Sequence, residues 1–183
     1  MPLPPAAPRK RIHTRKIEIH GFQREDDLWE IEAHLTDVKS YDFPNRFRGT
    51  IRAGEPIHDM SLRITLDDSG VIQEAQAVSE ATPFAICPEA AAAYERLKGL
   101  RIAAGWGRQL KERIGGTKGC THLSTLLKEV ATVAFQTIFP IRERERASEP
   151  ATKKKPALLN TCHAFASDSD VVRERWPDFY TGS

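Results

Sequence analysis

Three short clusters carry the residue types that could do chemistry: His58-Asp59, Cys120-Thr121-His122 and Cys162-His163. An imidazole titrates near pH ~6.5 and can carry protons at working pH or ligate a metal. A cysteine thiolate is a nucleophile and a soft ligand. Asp59 is placed to fix the tautomer of His58, but neighbours on a strand point to opposite faces, so that pairing needs a turn. Each cluster also has a plain structural reading. His58 can be a partly exposed loop residue, Cys120 a small buried thiol in a glycine-rich turn, and Cys162-His163 an ordinary core segment. The sequence leaves these alternatives open.

Cys120 follows Gly115-Gly116-Thr117-Lys118-Gly119 and precedes a helical pattern. Backbone N–H groups at a helix start favour anions and lower a thiol pKa. The loop lacks the Gly-Lys-[Ser/Thr] ending of a phosphate loop, and the chain has neither a Rossmann fingerprint nor a nucleophile elbow. No nucleotide cofactor and no serine-hydrolase chemistry are therefore expected. A fourth group joins Arg24, Asp26 and Trp29. Arg24 can clamp a substrate carboxylate in a two-pronged pair with Trp29 stacked on a ring, and Arg15 is a further clamp candidate. Otherwise Trp29 is core and Arg24–Asp26 a surface pair. Cys87, beside Pro88, is either a ligand or a buried thiol. Metal binding would need three or four groups to converge. The candidate ligands are His58, Cys87, Cys120, His122 and His163, and they would hold one divalent ion.

Composition narrows the class. With 183 residues, 40% apolar and 28% charged, the chain can bury a core without staples. A net charge of +2 gives no footprint for nucleic acid. No run approaches the ~20 apolar residues of a membrane span. The N-terminus lacks a signal-peptide pattern, and three cysteines fit free thiols in a reducing cytoplasm. The expected partners are a small-molecule substrate and, as an assembly, a homodimer.

The positioning elements follow from periodicity. Residues 1–10, with four prolines, read as a disordered arm. Alternation from Arg11, interrupted at Gly21, and again over Leu28–Asp37 predicts two strands, the second with Trp29, Ile31, Ala33 and Leu35 on a buried face. Tyr41–Glu55 reads as irregular. Met60–Leu66, the turn Asp68-Ser69-Gly70 and Val71–Val78 make a hairpin. Helices are predicted over Glu89–Lys98, Ala103–Ile114 and from Thr121 or Ser124 to about Ile138, where Pro140 stops the last. Strands first and helices after predict an α+β domain, mainly antiparallel, with helices on one face. It spans residues 11–140, followed by a charged linker over 141–156 and a segment, 157–183, that packs back on the domain through Trp176.

Gly54-Glu55-Pro56-Ile57-His58-Asp59-Met60, the hairpin, Cys87-Pro88 and Gly119-Cys120-Thr121-His122-Leu123 together resemble the iron–sulfur scaffold fold of the IscU, NifU N-terminal and SufE proteins. His58-Asp59 stands where the scaffolds carry a Cys-Gly-Asp turn, and Cys120-Thr121-His122 where they carry a His-Cys pair. The resemblance implies that fold over about residues 50–140. It also implies a single metal on Cys87, Cys120 and a His or Asp. Over residues 11–180 the chain is similar to a bacterial family catalogued as a domain of unknown function, through Arg24–Glu32, Ile57–Met60, Gly119–Leu123 and Asn160–Ala164. The functional expectation is a small cytoplasmic lyase or hydrolase acting on a small organic, aromatic in one version. His58, Asp59, Cys120 and His122 would be catalytic, and Arg24, Trp29 and Arg15 would bind substrate. A metal or iron–sulfur carrier and a partner-binding module are the alternatives.

Overall fold

The computed structural model describes residues 2–146 and 155–182, Arg146 by its backbone alone. Alternation of apolar and polar residues builds a four-stranded sheet from β1 (His13–Gln23), β2 (Trp29–Lys39), β5 (Pro56–Leu66) and β6 (Ile72–Ala81). They lie in the order β1-β2-β5-β6, every pair antiparallel. Trp29, Ile31, Ala33 and Leu35 of β2 face inward, as do Met60, Leu62, Ile64 and Leu66 of β5, all at 3% exposure or less. The odd positions of β2 and the even positions of β5 meet because the register pairs Leu35 with Met60 and Ile31 with Ile64. Helices that follow the sheet cover this inner face. They are a 3₁₀ segment, Cys87–Leu97, then α1 (Trp106–Ile114) and α2 (Thr121–Arg146). Tyr94, Leu97, Trp106, Leu110, Ile114, Leu123, Leu126, Leu127 and Val130 join the sheet residues in one core. The α+β expectation is met, with the helices on one side of an antiparallel sheet.

Four local expectations are corrected. Gly21 does not break β1. It sits inside the strand opposite Ile31, and a methyl group there would overlap the side chain of Thr137 on α2, so the missing side chain lets helix and sheet approach. The irregular stretch before β5 contains a small hairpin, β3 (Phe43–Asn45) and β4 (Gly49–Ile51). Asn45 Oδ1 closes its turn by accepting from the N–H groups of Phe47 and Arg48, both at 2.9 Å. The second helix begins at Trp106 because Gly105, at φ 87°, turns the chain just before it. Pro140 does not end α2, which runs through it to Arg146. Proline there forfeits one backbone bond, while Ile138 and Ile141 on either side of it still pack against the core.

The molecule falls into two compact units, Met1–Arg142 and Glu143–Ser183. The second holds the end of α2, a 3₁₀ turn His163–Phe165, α3 (Asp170–Arg175) and a turn Pro177–Phe179. Ser169 caps α3 by accepting from the N–H of Val172 at 3.2 Å. The ring of Trp176 lies 5.4 Å from that of Phe165, within the same unit. Of the expected linker, residues 141–146 are helical and residues 147–154 lie outside the described residues.

Gly21→Ala should overpack the contact between β1 and α2 and lower stability by about 1–3 kcal/mol. Pairing it with Thr137→Ala, which removes Oγ1 and Cγ2 but keeps Cβ, should restore part of the loss in a thermal or urea melt.

Candidate functional site

Past the last apolar row of the inner face, the sheet continues with charge. The register places Arg15 of β1 beside Asp37 of β2, and Asp37 beside His58 of β5. One row across three strands thus reads Arg–Asp–His. Immediately beyond it the register of β2 and β5 shifts, leaving Ile57 unopposed between Asp37/His58 and Val38/Pro56. Such bulges re-aim side chains at sheet ends.

Asp37 is the centre. Its side chain is 1% exposed, yet it is an anion. Arg15 donates from Nε to Oδ1 at 2.8 Å and from Nη2 to Oδ2 at 2.7 Å. His13 Nε2 lies 2.9 Å from Oδ1 and His58 Nδ1 3.0 Å from Oδ2. Burial works to raise the carboxyl pKa, but these bonds from Arg15, His13 and His58 outweigh it and hold Asp37 at about 2.

His122 arrives from the other layer, at the start of α2. Its Nε2 is 4.0 Å from Asp37 Oδ2, and its ring stacks on His58 with centroids 3.8 Å apart and planes tilted by 34°. Burial lowers the pKa of both imidazoles. For His58 the bond to Asp37 opposes that fall without cancelling it, and for His122 the neighbouring His58 and Arg15 deepen it. Both rings are therefore neutral near pH 7. With His58 Nδ1–H donating to Asp37, its Nε2 carries the lone pair that can take a proton or bind a ligand.

Cys120 completes the group, its Sγ 3.8 Å from His122 Nδ1. The start of α2 is anchored by Tyr94, whose side chain is fully buried. The Tyr94 hydroxyl donates to the carbonyl of Cys120 at 2.8 Å, accepts from the N–H of Cys120 at 3.3 Å and lies 3.0 Å from Ser124 Oγ. This buried phenol fixes where Cys120 and His122 stand.

Among the sequence candidates, Arg15, His58, Cys120 and His122 are brought together. Arg15 has a different task from the expected one, since the prongs that would clamp a substrate grip Asp37. Asp59 is on the opposite face of the sheet and bonds to His34 Nε2 at 2.6 Å. The carboxylate that orients His58 is Asp37, its partner across the strands and not its neighbour in sequence. Trp29 begins β2, eight residues or roughly 27 Å of strand from Asp37, and Arg24 lies in the loop before it. There Arg24 pairs with Asp26 and Glu30, and the indole N–H of buried Trp29 donates to Asp68 at 2.9 Å. Among the described residues, the group able to hold a metal is Asp37, His58 and His122, with donor atoms within 4.8 Å of one another. Cys87 and Cys120 are outside it. Cys162 and His163 are exposed in the second unit.

Asp37 and His13 were missed by sequence reading. The signal for Asp37 was its phase: it continues the buried series Trp29, Ile31, Ala33, Leu35 by two residues. An open groove also crosses the outer face, lined by Glu18, His20, Glu32, His34, Arg63 and Gln76. Its charges close on one another as Glu18–His20, Glu32–Arg63 and His34–Asp59 pairs, and the sheet separates it from the inner-face row.

Comparison with protein families places the chain beside one described family. The family described as Protein of unknown function (DUF2889) matches residues 13–136. The chain belongs to that family. The DUF2889 match begins at His13 and ends within α2, so it encloses all six residues of the cluster, His13, Arg15, Asp37, His58, Cys120 and His122. No curated protein and no solved structure matches the chain.

The depressed pKa of Asp37 predicts a pH window. Its contribution is fully present above its unfolded value near 3.8 and is lost as pH falls towards 2. That contribution is about 2 kcal/mol. Asp37→Asn should destabilise the fold by about 1–3 kcal/mol at pH 7, because it removes the anion that Arg15, His13 and His58 bond to. The variant should also show a shallower loss between pH 4 and pH 2 in urea melts.

Proposed function

We propose that the protein is a small enzyme of lyase or hydrolase type that acts on a small organic substrate by proton transfer at His58 and His122. The observation carrying this reading is a pair of stacked, neutral imidazoles set against a buried carboxylate anion. A carboxylate that accepts from one ring nitrogen fixes the tautomer, orients the ring and stabilises the imidazolium that forms when the other nitrogen takes a proton. Asp37 serves His58 in this way, and Arg15 with His13 keeps Asp37 charged. Bases with a pKa close to working pH suit general acid–base catalysis, and removing one typically costs 10²–10⁴-fold. His58, at 14% side-chain exposure, is covered enough to be oriented and open enough to meet a ligand.

A second reading is a single divalent cation on Asp37, His58 and His122, favoured by the approach of their donor atoms to within 4.8 Å. Against it stands the use of both Asp37 oxygens by Arg15. An ion there would have to displace a guanidinium fork and sit beside its charge.

The test is a screen of small esters, amides and hydroxy acids with wild-type protein and its His58→Ala and His122→Ala variants, before and after chelator treatment. The expected result is an activity that falls by about 10²–10⁴-fold in His58→Ala, survives chelation, and declines as pH drops through the lowered imidazole pKa values. Two-dimensional NMR should show both rings titrating below 6.5, with His58 protonated on Nδ1 in its neutral form. An activity unaffected by either substitution overturns the reading. An activity abolished by chelator and restored by one metal per chain transfers it to the cation.

A further inference from the structure

The proton-transfer reading gives His58 its carboxylate but leaves Cys120 unused. Cys120 Sγ lies 3.8 Å from Nδ1 of His122, and Nε2 of that same ring faces Asp37 Oδ2 at 4.0 Å. Thiol, imidazole and buried carboxylate therefore stand in line, in the order in which a nucleophile, its base and the base's orienting anion are arranged. Both spacings, 3.8 Å and 4.0 Å, are longer than the ~2.6–3.2 Å of a base bonded to its nucleophile. In the tautomer that carries its proton on Nε2, the nitrogen nearer Asp37, His122 can accept the thiol proton on Nδ1.

The surroundings of Cys120 complete the arrangement. It immediately precedes the 26-residue helix α2. The first N–H groups of a helix have no partner inside it, and they carry the positive end of the dipole. They are the donors that an oxyanion formed on a carbonyl attacked from Cys120 would meet. Tyr94 binds both the N–H and the carbonyl of Cys120, which holds the sulfur at this helix end. Cys87 opens the 3₁₀ segment, its N–H donating to the carbonyl of Phe84 at 3.1 Å, and Cys162 is exposed in the second unit.

We propose that Cys120 is an acyl-accepting nucleophile, with His122 as its base, for a small ester or thioester substrate. This rests on the catalytic reading of the same cluster and narrows it to acyl transfer. In the first step the Cys120 sulfur bonds to the acyl carbon and the thiol proton passes to His122 Nδ1. The bond from acyl carbon to leaving group then breaks, and the leaving group departs with its electron pair and the proton from His122. In the second step water adds to the thioester, the carbon–sulfur bond breaks, and Cys120 recovers its proton through His122. The products are a carboxylic acid and the free alcohol or thiol, with no oxidant or reductant consumed.

The probe is p-nitrophenyl acetate, followed by p-nitrophenol release, intact mass after acid quench and peptide mapping of the adduct. The expected result is one acetyl group per chain on Cys120, formed at least about tenfold faster than on the exposed Cys162 of the same molecule. His122→Ala should slow acetylation of Cys120 by about 10²-fold and leave that of Cys162 unchanged. Thermal melts confirm that the variant is folded. The comparison of Cys120 with Cys162 in the wild type needs no variant. Acetylation of Cys120 no faster than Cys162, or unaltered by His122→Ala, overturns the proposal. If Cys120→Ser keeps the esterase rate while His58→Ala loses it, the nucleophile is refuted and proton transfer by His58 stands. If neither substitution changes an observed rate, both fail.

Discussion

The site depends on one buried anion. A carboxylate at the inner face of a sheet is costly unless its charge and every lone pair are answered. Asp37 receives Arg15 on two prongs, His13 on one oxygen and His58 on the other. Each donor comes from a strand whose register brings it there. β1 supplies the cation, β2 the anion and β5 the imidazole. The ion pair therefore also fixes register, because a slip of one residue would turn Arg15 or His58 to the opposite face and strand the anion.

From that constraint the second layer follows. Once His58 is held by Nδ1, its ring presents a flat surface on which His122 stacks. Helix α2 must deliver His122 at that height, and two contacts set where it runs. Tyr94 pins its first residues from the 3₁₀ segment, and Gly21 admits its body close to β1. Core packing and site geometry are thus the same fact seen at two ends of the helix. The apolar rows of the sheet set the distance between layers, and the polar row at the end uses that distance to bring Asp37, His58, His122 and Cys120 together.

Electrostatics divides the labour within the cluster. Arg15 and His13 hold Asp37 deprotonated, and burial keeps both imidazoles neutral. The result is an anion flanked by two bases, each with a distinct second neighbour. His58 turns its free nitrogen away from Asp37, and His122 turns its own towards a thiol. Two histidines of one composition acquire two roles from their surroundings.

Much of the scaffold was legible in the residues. The alternation in β2, the β5–β6 hairpin and the periodicity of α2 fixed the α+β class and the buried face, because period-two and 3.6-residue patterns are local properties. His58, Cys120 and His122 were legible as chemistry-bearing residues at element ends. The identity of the orienting carboxylate was not. Sequence adjacency pointed to Asp59, but neighbours on a strand face opposite ways, and Asp59 went to His34. Asp37, twenty-one residues from His58, became its partner because antiparallel pairing puts them side by side. Arg15 changed role for the same reason, and Pro140 failed to stop α2 because packing of Ile141 outweighed one lost backbone bond. Local patterns were enough to say where most of the strands and helices lie, and which side chains carry protons or lone pairs. Which of those side chains meet came from the fold, because contacts across strands and layers depend on register and packing that no local pattern encodes.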